Sequence, residues 1–153
     1  MFDGFALDRR LEVNLAADAC FLGVETIVFG RAAMGERVRQ GWLQDVIRVR
    51  RGDELLLHDA VRLDGDVDAI MRRPAVGGGA RAVATVIQVA PDLEPKVNAV
   101  RRALEAADAG ASVWNGMLVA RILGPDGAFV RRIVVAVLDS LRDSRPLPRA
   151  WSC

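Results

Sequence analysis

Alternation of apolar and polar residues constrains the fold of the first sixty residues more than any other feature. Residues 11–15 alternate strictly, which is typical of a strand with one buried face. Residues 20–30 are almost continuously apolar, as expected of a strand covered on both faces. Further apolar segments lie at 46–49 and 55–63, and glycine-containing turns separate them. We therefore predict hairpins or a stack of short strands in this part of the chain.

A second pattern begins after residues 74–80, which are rich in proline and glycine. We treat the chain as one domain over 1–153 and place an internal boundary near 74–80. Beyond it the pattern predicts a strand at 83–89, a helix, two short strands and a last helix. The predicted fold class is mixed α+β, mainly β, in which stacked short strands precede a strand–helix–strand–strand–helix part.

The two predicted helices differ in their end signals. Apolar residues recur at helical spacing over 93–107, with Asp92 as the expected N-cap and Gly110 as the expected stop. Between the helices, Asn115 and Gly116 form a strong hairpin signal. The last helix is predicted to begin near Ala128.

Composition excludes several classes of function. The chain has one histidine, two cysteines and a net charge of +1, so neither a zinc site, a disulfide scaffold nor electrostatic capture of nucleic acid is supported. Its glycine run at 77–79 is not followed by the lysine and hydroxyl residue of a nucleotide-binding loop. No apolar run is long enough for a membrane helix, and the N-terminus does not read as a secretion signal. We expect a cytoplasmic protein that binds neither membrane nor nucleic acid.

Several segments, taken in order, resemble the urease accessory protein family UreD. The segments at 2–15, 21–36, 55–63, 111–123 and 147–151 carry the resemblance. Its most specific part is a core of two glycines, an arginine and a glutamate: Gly30, Arg31, Gly35 and Glu36. Family members are typically longer, with a further β-rich portion before the segment that matches residue 2, so we expect this chain to begin within the family sequence.

The resemblance implies a β-helix-like stack of short strands with two helices near the C-terminus. It also implies a scaffold for nickel delivery into apo-urease, rather than an enzyme. In this family the protein binds apo-urease and UreF, and UreG joins through UreF. No tightly bound cofactor is implied, only transient passage of Ni²⁺ through an internal passage. A truncated, inactive interaction module is the alternative.

Two carboxylates are the candidate residues of that passage. Glu25 and Asp59 each lie within an apolar strand, where a carboxylate is almost never buried without a partner. One interpretation pairs each with an arginine or turns it outward. The other, implied by the family, places both along the nickel passage, where water and a cation compensate the charge. Scarce histidine and cysteine favour a transfer path over tight storage.

The remaining candidates carry weaker signals. His58 and Asp59 are neighbours on a strand and should point to opposite faces. A small hydrolase built from Cys20, His58 and Asp59 is a third hypothesis, which no nucleophile motif supports. We expect Cys20 to be a small core residue, whereas terminal Cys153 has no assigned role. Arg31 and Glu36 suit either a structural ion pair or a contact with a partner.

Overall fold

The computed structural model describes residues 1–31, 34–143, 145–147 and 151. The described residues form seven strands and three helices, which confirms the mixed α+β, mainly β class. In chain order they are β1 (Phe5–Leu15), β2 (Phe21–Val28), β3 (Gly41–Arg51), β4 (Glu54–Gly65), α1 (Val67–Met71), β5 (Ala82–Val89), α2 (Glu94–Leu104), β6 (Asp108–Trp114), β7 (Met117–Gly124) and α3 (Gly127–Leu141).

The strands build two sheets. The first sheet has the order β1-β3-β4, with β1 parallel to β3 and β4 antiparallel to β3. The second sheet has the order β2-β5-β7-β6 and is antiparallel throughout. Residues 74–79 form turns between α1 and β5. Strand β2, which precedes those turns, pairs with β5, which follows them, so both parts of the chain share the second sheet.

The molecule has three layers. The first sheet packs on one face of the second sheet, and residues of both sheets meet in two apolar clusters. Helices α2 and α3 cover the other face of the second sheet and form the largest apolar cluster with it. This explains the two strand patterns, because β1 alternates between half-buried and exposed residues whereas β5 is buried along nearly all its length.

Helix α2 is shorter than its apolar spacing predicts. Asp92 has a φ of +54°, so it adopts the left-handed region and does not serve as the N-cap. The helix instead begins after Leu93, without a side-chain cap, and ends at Leu104. Gly110, the expected stop, lies within β6 opposite Arg121 of β7. Both predictions were wrong: the chain turns at residues 105–107 and enters β6, which pairs with β7 from Asp108 onward.

Helix α3 and the hairpin before it follow the sequence closely. Asp126 is the N-cap of α3, and its carboxylate accepts a 2.7 Å hydrogen bond from the backbone N–H of Phe129. The predicted start near Ala128 is therefore confirmed. Asn115 and Gly116 join β6 to β7 with φ of +49° and +67°, as a tight two-residue hairpin turn requires. No helix in the described part of the chain is long and apolar enough to cross a membrane.

Candidate functional site

Charged side chains meet between the two sheets. Five strands each contribute one of them, and we call this set the charge cluster: Arg9 on β1, Glu25 on β2, Asp45 on β3, Asp59 on β4 and Arg121 on β7. Because β1, β3 and β4 form the first sheet while β2 and β7 belong to the second, the cluster joins the sheets.

Strand periodicity explains how these side chains reach the interior. Along β3, Leu43 belongs to one inter-sheet apolar cluster and Ile47 to the other, and Asp45 lies between them at the same phase. On β1, Leu7 and Leu11 flank Arg9 in the same way. The charge cluster is therefore a polar layer between two apolar layers.

Arg9 connects the two sheets. Its Nε and Nη2 donate hydrogen bonds of 3.0 and 2.9 Å to Oδ1 and Oδ2 of Asp45, which is the paired, two-point geometry that favours arginine. The same Nε lies 3.1 Å from Oε1 of Glu25 on the second sheet. One guanidinium thus serves two carboxylates. The Asp45 side chain is only 5% exposed, and the hydrogen bonds from Arg9 replace those it would make with water.

Glu25 carries the clearest electrostatic perturbation of the cluster. Its pKa is raised from 4.5 to about 7, first because burial disfavours the charged carboxylate and next because Asp45 repels it. The Arg9 charge lowers the pKa but does not offset these effects, and Asp59 raises it further. Glu25 therefore changes its protonation state near neutral pH, in the interior and beside a second carboxylate.

Asp59 completes the cluster on the other side. Its carboxylate accepts a hydrogen bond from Nη2 of Arg121 and forms an ion pair with it. The Asp59 side chain is 25% exposed and that of Arg121 is 40% exposed, compared with 5% for Asp45. The cluster thus extends from the protein interior at Asp45 to the surface at Arg121.

The structure places both predicted carboxylates in one polar layer, and it pairs each of them with an arginine. Glu25 contacts Arg9, and Asp59 contacts Arg121. These contacts are the arginine pairs of the first interpretation of the sequence. Both side chains also lie between the two sheets. Within the described residues, no three histidine, cysteine, aspartate or glutamate side chains are arranged to hold a metal ion. Any cation bound here would have few protein ligands.

The residues of the family core form a separate loop. Glu36 accepts hydrogen bonds from Nε and N of Arg31 at 2.9 and 3.1 Å and from the backbone N–H of Asp3 at 3.3 Å. The hydrogen bond from Arg31 is the main reason that the pKa of Glu36 is lowered. Gly30 has a φ of +72°, and a Cβ there would lie 2.9 Å from the Glu36 carbonyl oxygen. These contacts give the loop a structural role, and Gly35 with its φ of +66° completes the turn.

Cys20 and His58 do not form a reactive pair. Cys20 is exposed, so the expectation of a core residue was wrong: it lies just before β2, at a cleft beside α3. His58 is exposed on the outer face of the first sheet, and Asp59 points inward, as the alternation predicts. The second sheet lies between the cleft at Cys20 and the first sheet, which carries His58. The two side chains therefore cannot act together, and the hydrolase hypothesis is excluded. Cys153 lies outside the described residues.

Sequence reasoning missed three members of the charge cluster: Arg9, Asp45 and Arg121. A usable signal was present, because Arg9 and Asp45 each stand at the apolar phase of an alternating strand, with apolar residues two positions away on both sides. Opposite charges at the inward phase of different strands indicate a buried ionic layer. The pattern does not show which strands pair or how the sheets pack, and this decides which charges meet.

Comparison with known protein sequences places this chain in a family of urease accessory proteins. The family model described as "UreD urease accessory protein" matches residues 1–152. The chain therefore belongs to the UreD family, and the resemblance stated from its motifs is confirmed. The family name is that of an accessory protein and not of a catalytic enzyme, in agreement with the prediction.

Among the similar proteins, three illustrate the match, and each is named urease accessory protein UreD. The protein of Methylobacterium sp. (strain 4-46) is 46% identical over 158 residues, which cover 99% of this chain and 56% of the relative. That of Azorhizobium caulinodans is 47% identical over 154 residues, with 99% and 56% covered. That of Xanthobacter autotrophicus is 45% identical over 154 residues, with 99% and 53% covered. The chain thus spans about half the length of these relatives.

Proposed function

We propose that this chain acts in the cytoplasm as a scaffold for the maturation of urease. In this proposal it supports delivery of nickel into apo-urease, as part of a complex with UreF and, through UreF, UreG. Membership of the UreD family supports the accessory role. Nickel is cargo here, held transiently, and no tightly bound cofactor is required.

The charge cluster is the observation that carries the proposal. It contains three carboxylates and two arginines, so its ionised form has an excess negative charge in a partly buried layer. Charges interact more strongly in such a layer than in water, and a divalent cation would be attracted to it. Since exposure increases from Asp45 to Arg121, the same layer connects the interior with the surface.

The arginine partners make any hold on a cation brief. A carboxylate paired with a guanidinium must exchange that partner for the metal ion, which weakens binding relative to a free carboxylate. Nickel prefers imidazole and oxygen ligands, and tight sites use several such groups. Glu25 and Asp59 offer two carboxylates, with water as the remaining ligand. Weak, reversible contact suits a carrier that must release its cargo.

Glu25 adds a proton to this exchange. Because its pKa is raised to about 7, a large fraction of Glu25 carries a proton at neutral pH. A cation that reaches the carboxylate would displace that proton, since metal ligands must be deprotonated. Entry of the metal ion into the layer is then coupled to proton release, and its departure to proton uptake.

The test is co-expression of this chain with urease and the other accessory proteins. The double variant Glu25→Gln, Asp59→Asn keeps side-chain size and removes both carboxylate charges. We expect it to lower both the nickel content and the activity of the purified urease. The matched control is Glu12→Gln, which removes an exposed carboxylate paired with Arg48 on the outer face of the first sheet.

Equal amounts of variant and parent chain recovered with UreF would show that assembly is intact. With assembly intact, unchanged nickel content in urease would remove Glu25 and Asp59 from the proposed path. A loss of nickel with the Glu12→Gln control of the same size would also contradict the proposal, because it would indicate a general charge effect.

A role in contacting a partner is the second candidate, and exposed apolar residues at the family core favour it. Phe2 is 57% exposed and stacks with Arg31, whose guanidinium carbon lies 4.9 Å from the ring centroid. Met34, in the same loop, is 73% exposed. Exposed large apolar side chains that lie together often mark a protein interface.

This second role has its own test. We expect the double variant Phe2→Ser, Met34→Ser to reduce recovery of UreF or urease in a pull-down, without loss of folded protein. Val76→Ser is the control, because Val76 is 44% exposed and lies in another loop. Equal recovery with all three chains would contradict a contact at the family core.

A further inference from the structure

A cleft lies at one end of the helix layer, away from the charge cluster. It has a volume of about 430 Å³, within the range of about 300 to 1,000 Å³ that is common for ligand pockets. Residues at the start of β2, the end of β5, the first turn of α2 and the end of α3 line it. Its position on the helix side of the second sheet separates it from the proposed nickel path.

Gln88 is the feature that distinguishes this cleft from an ordinary surface depression. The residue is only 9% exposed, and its Oε1 is buried without a hydrogen-bond partner. Its Nε2 donates to the backbone carbonyl of Leu141 at 3.4 Å, which fixes the amide against the end of α3. A buried acceptor without a partner costs about 1–3 kcal/mol. A ligand that brings an N–H or O–H donor into the cleft would relieve that cost.

Positive charge lies beside this acceptor. Nζ of Lys96 donates to the same Leu141 carbonyl at 3.2 Å and to Oδ1 of Asp143 at 2.7 Å. The ammonium and the Gln88 amide therefore converge on one carbonyl oxygen. Arg142 and Arg145 also line the cleft, so its lining has three cationic side chains and one carboxylate, and the Arg142 guanidinium donates to the backbone carbonyls of Arg145 and Pro146. The net charge of the lining attracts an anionic group.

The rest of the wall is apolar. Leu22, Ala90 and Pro91 form it, whereas the side chain of Phe21, which also borders the cleft, packs toward the first sheet. Contact between this wall and a hydrocarbon side chain is favourable, because it removes apolar surface of both from water. A ligand that fits therefore combines three groups within a few ångströms of each other: a donor, a negative charge and an apolar group.

We propose that this cleft binds the free C-terminal residue of a peptide chain. The carboxylate would lie at Lys96 and the neighbouring arginines, and the N–H of the last peptide bond would donate to Oε1 of Gln88. An apolar last side chain would pack on the wall of Leu22, Ala90 and Pro91. Capture of a C-terminal carboxylate is a recurring mode of peptide recognition. The proposal does not depend on the nickel path.

The test uses a set of matched probes with the 153-residue chain. Acetyl-alanyl-leucine with a free carboxylate is the parent probe, its C-terminal amide removes the charge, and N-methylation of the leucine nitrogen removes the donor. Acetate represents a small carboxylate without the other two groups. Binding is measured by calorimetry and by protection of the exposed Cys20 thiol against a thiol reagent, in a Cys153→Ser background that leaves Cys20 as the one cysteine.

We expect saturable binding of the parent probe and slower modification of Cys20 when the probe is present. The amide and the N-methylated probe should each bind at least about tenfold more weakly, the order expected for losing one interaction with a buried or charged group. Gln88→Leu should weaken the parent probe to the level of the N-methylated one. In that variant, N-methylation should have no further effect.

Variants on α2 provide the matched control. Lys96→Met should weaken the parent probe, whereas Arg101→Met, near the other end of the helix, should not, because Arg101 donates to the Ala111 carbonyl on β6. Equal binding of the acid and the amide would overturn the proposal, and so would absence of binding to all probes. Acetate binding as tight as that of the parent probe would overturn the peptide assignment. The probe comparison requires no variant, so it stands even if Gln88→Leu does not fold.

Discussion

Glu25 and Asp45 face each other across the two sheets with the Arg9 guanidinium shared between them. The Nε of Arg9 lies 3.1 Å from Oε1 of Glu25 and 3.0 Å from Oδ1 of Asp45. Burial of Glu25 and repulsion by Asp45 together outweigh the single Arg9 charge, so Glu25 retains its proton up to about pH 7. This relationship makes protonation of the interior a property that experiments can measure.

Stability should fall as pH rises from about 4.5 to 7. Because the pKa of Glu25 is higher in the folded chain, its contribution is complete below 4.5 and is lost through about 7. The total is at most about 3 kcal/mol. Glu25→Gln resembles the protonated form, so it should remove this dependence and raise the melting temperature at pH 8, by up to about 6–12 °C if the full contribution is regained. Thermal melts between pH 5 and 8 measure it.

The exposed pair of Glu12 and Arg48 provides the reference for this experiment. Glu12→Gln should leave the slope of stability against pH unchanged, because the Glu12 side chain is 55% exposed. If Glu25→Gln melts with the same pH dependence as the parent chain, Glu25 is not the group that titrates.

Asp45 should control the titration of Glu25. Asp45→Asn removes the neighbouring charge that repels Glu25 most strongly. The Arg9 charge is then shared with no other carboxylate, so the pKa of Glu25 should fall toward its ordinary value. Carbon-detected NMR titration of the Glu25 side-chain carboxyl measures this directly. A pKa that stays near 7 in this variant would assign the shift to burial alone.

Local sequence patterns predicted the elements of this fold far better than they predicted the contacts of the site. Strands with one buried face, the hairpin at Asn115 and the start of α3 all depend on spacing and on residues close in the chain. The N-cap of α2 could not be predicted this way, because Asp92 adopts a left-handed conformation set by its position after β5. The backbone conformation required between β5 and α2 thus outweighed the preference of aspartate for the N-cap position.

The charge cluster shows the same limit at larger distance. Glu25 and Asp59 were recognisable because a carboxylate in an apolar strand needs compensation. Their arginine partners were not recognisable, since Arg9 and Arg121 lie far from them in the chain and meet them only when the two sheets pack. With twenty arginines in the chain, composition alone could not select the pair.

The ion pair of Asp59 and Arg121 should contribute more than an ordinary surface pair. Because Arg121 is 40% exposed, solvent screening limits the coupling to about 1 kcal/mol. A double-mutant cycle with Asp59→Asn and Arg121→Met measures it by chemical denaturation. The control cycle with Glu12→Gln and Arg48→Met should give about 0.5 kcal/mol or less. Equal coupling in both cycles would argue that the inter-sheet position adds nothing to the pair.

Two exposed glycines at opposite ends of β6 should respond in opposite directions to alanine. Gly116→Ala should destabilise the chain by about 1–2 kcal/mol, because the turn holds it at a φ of +67°, where an L residue is strained. Gly110→Ala should be neutral or stabilising by up to about 1 kcal/mol, since Gly110 lies in the strand and an added Cβ meets no atom within 4 Å. Urea unfolding of both variants makes the comparison. The space around the added methyl group is open at both positions, so the difference isolates backbone conformation. If both variants lose the same stability, the hairpin turn does not require its left-handed residue.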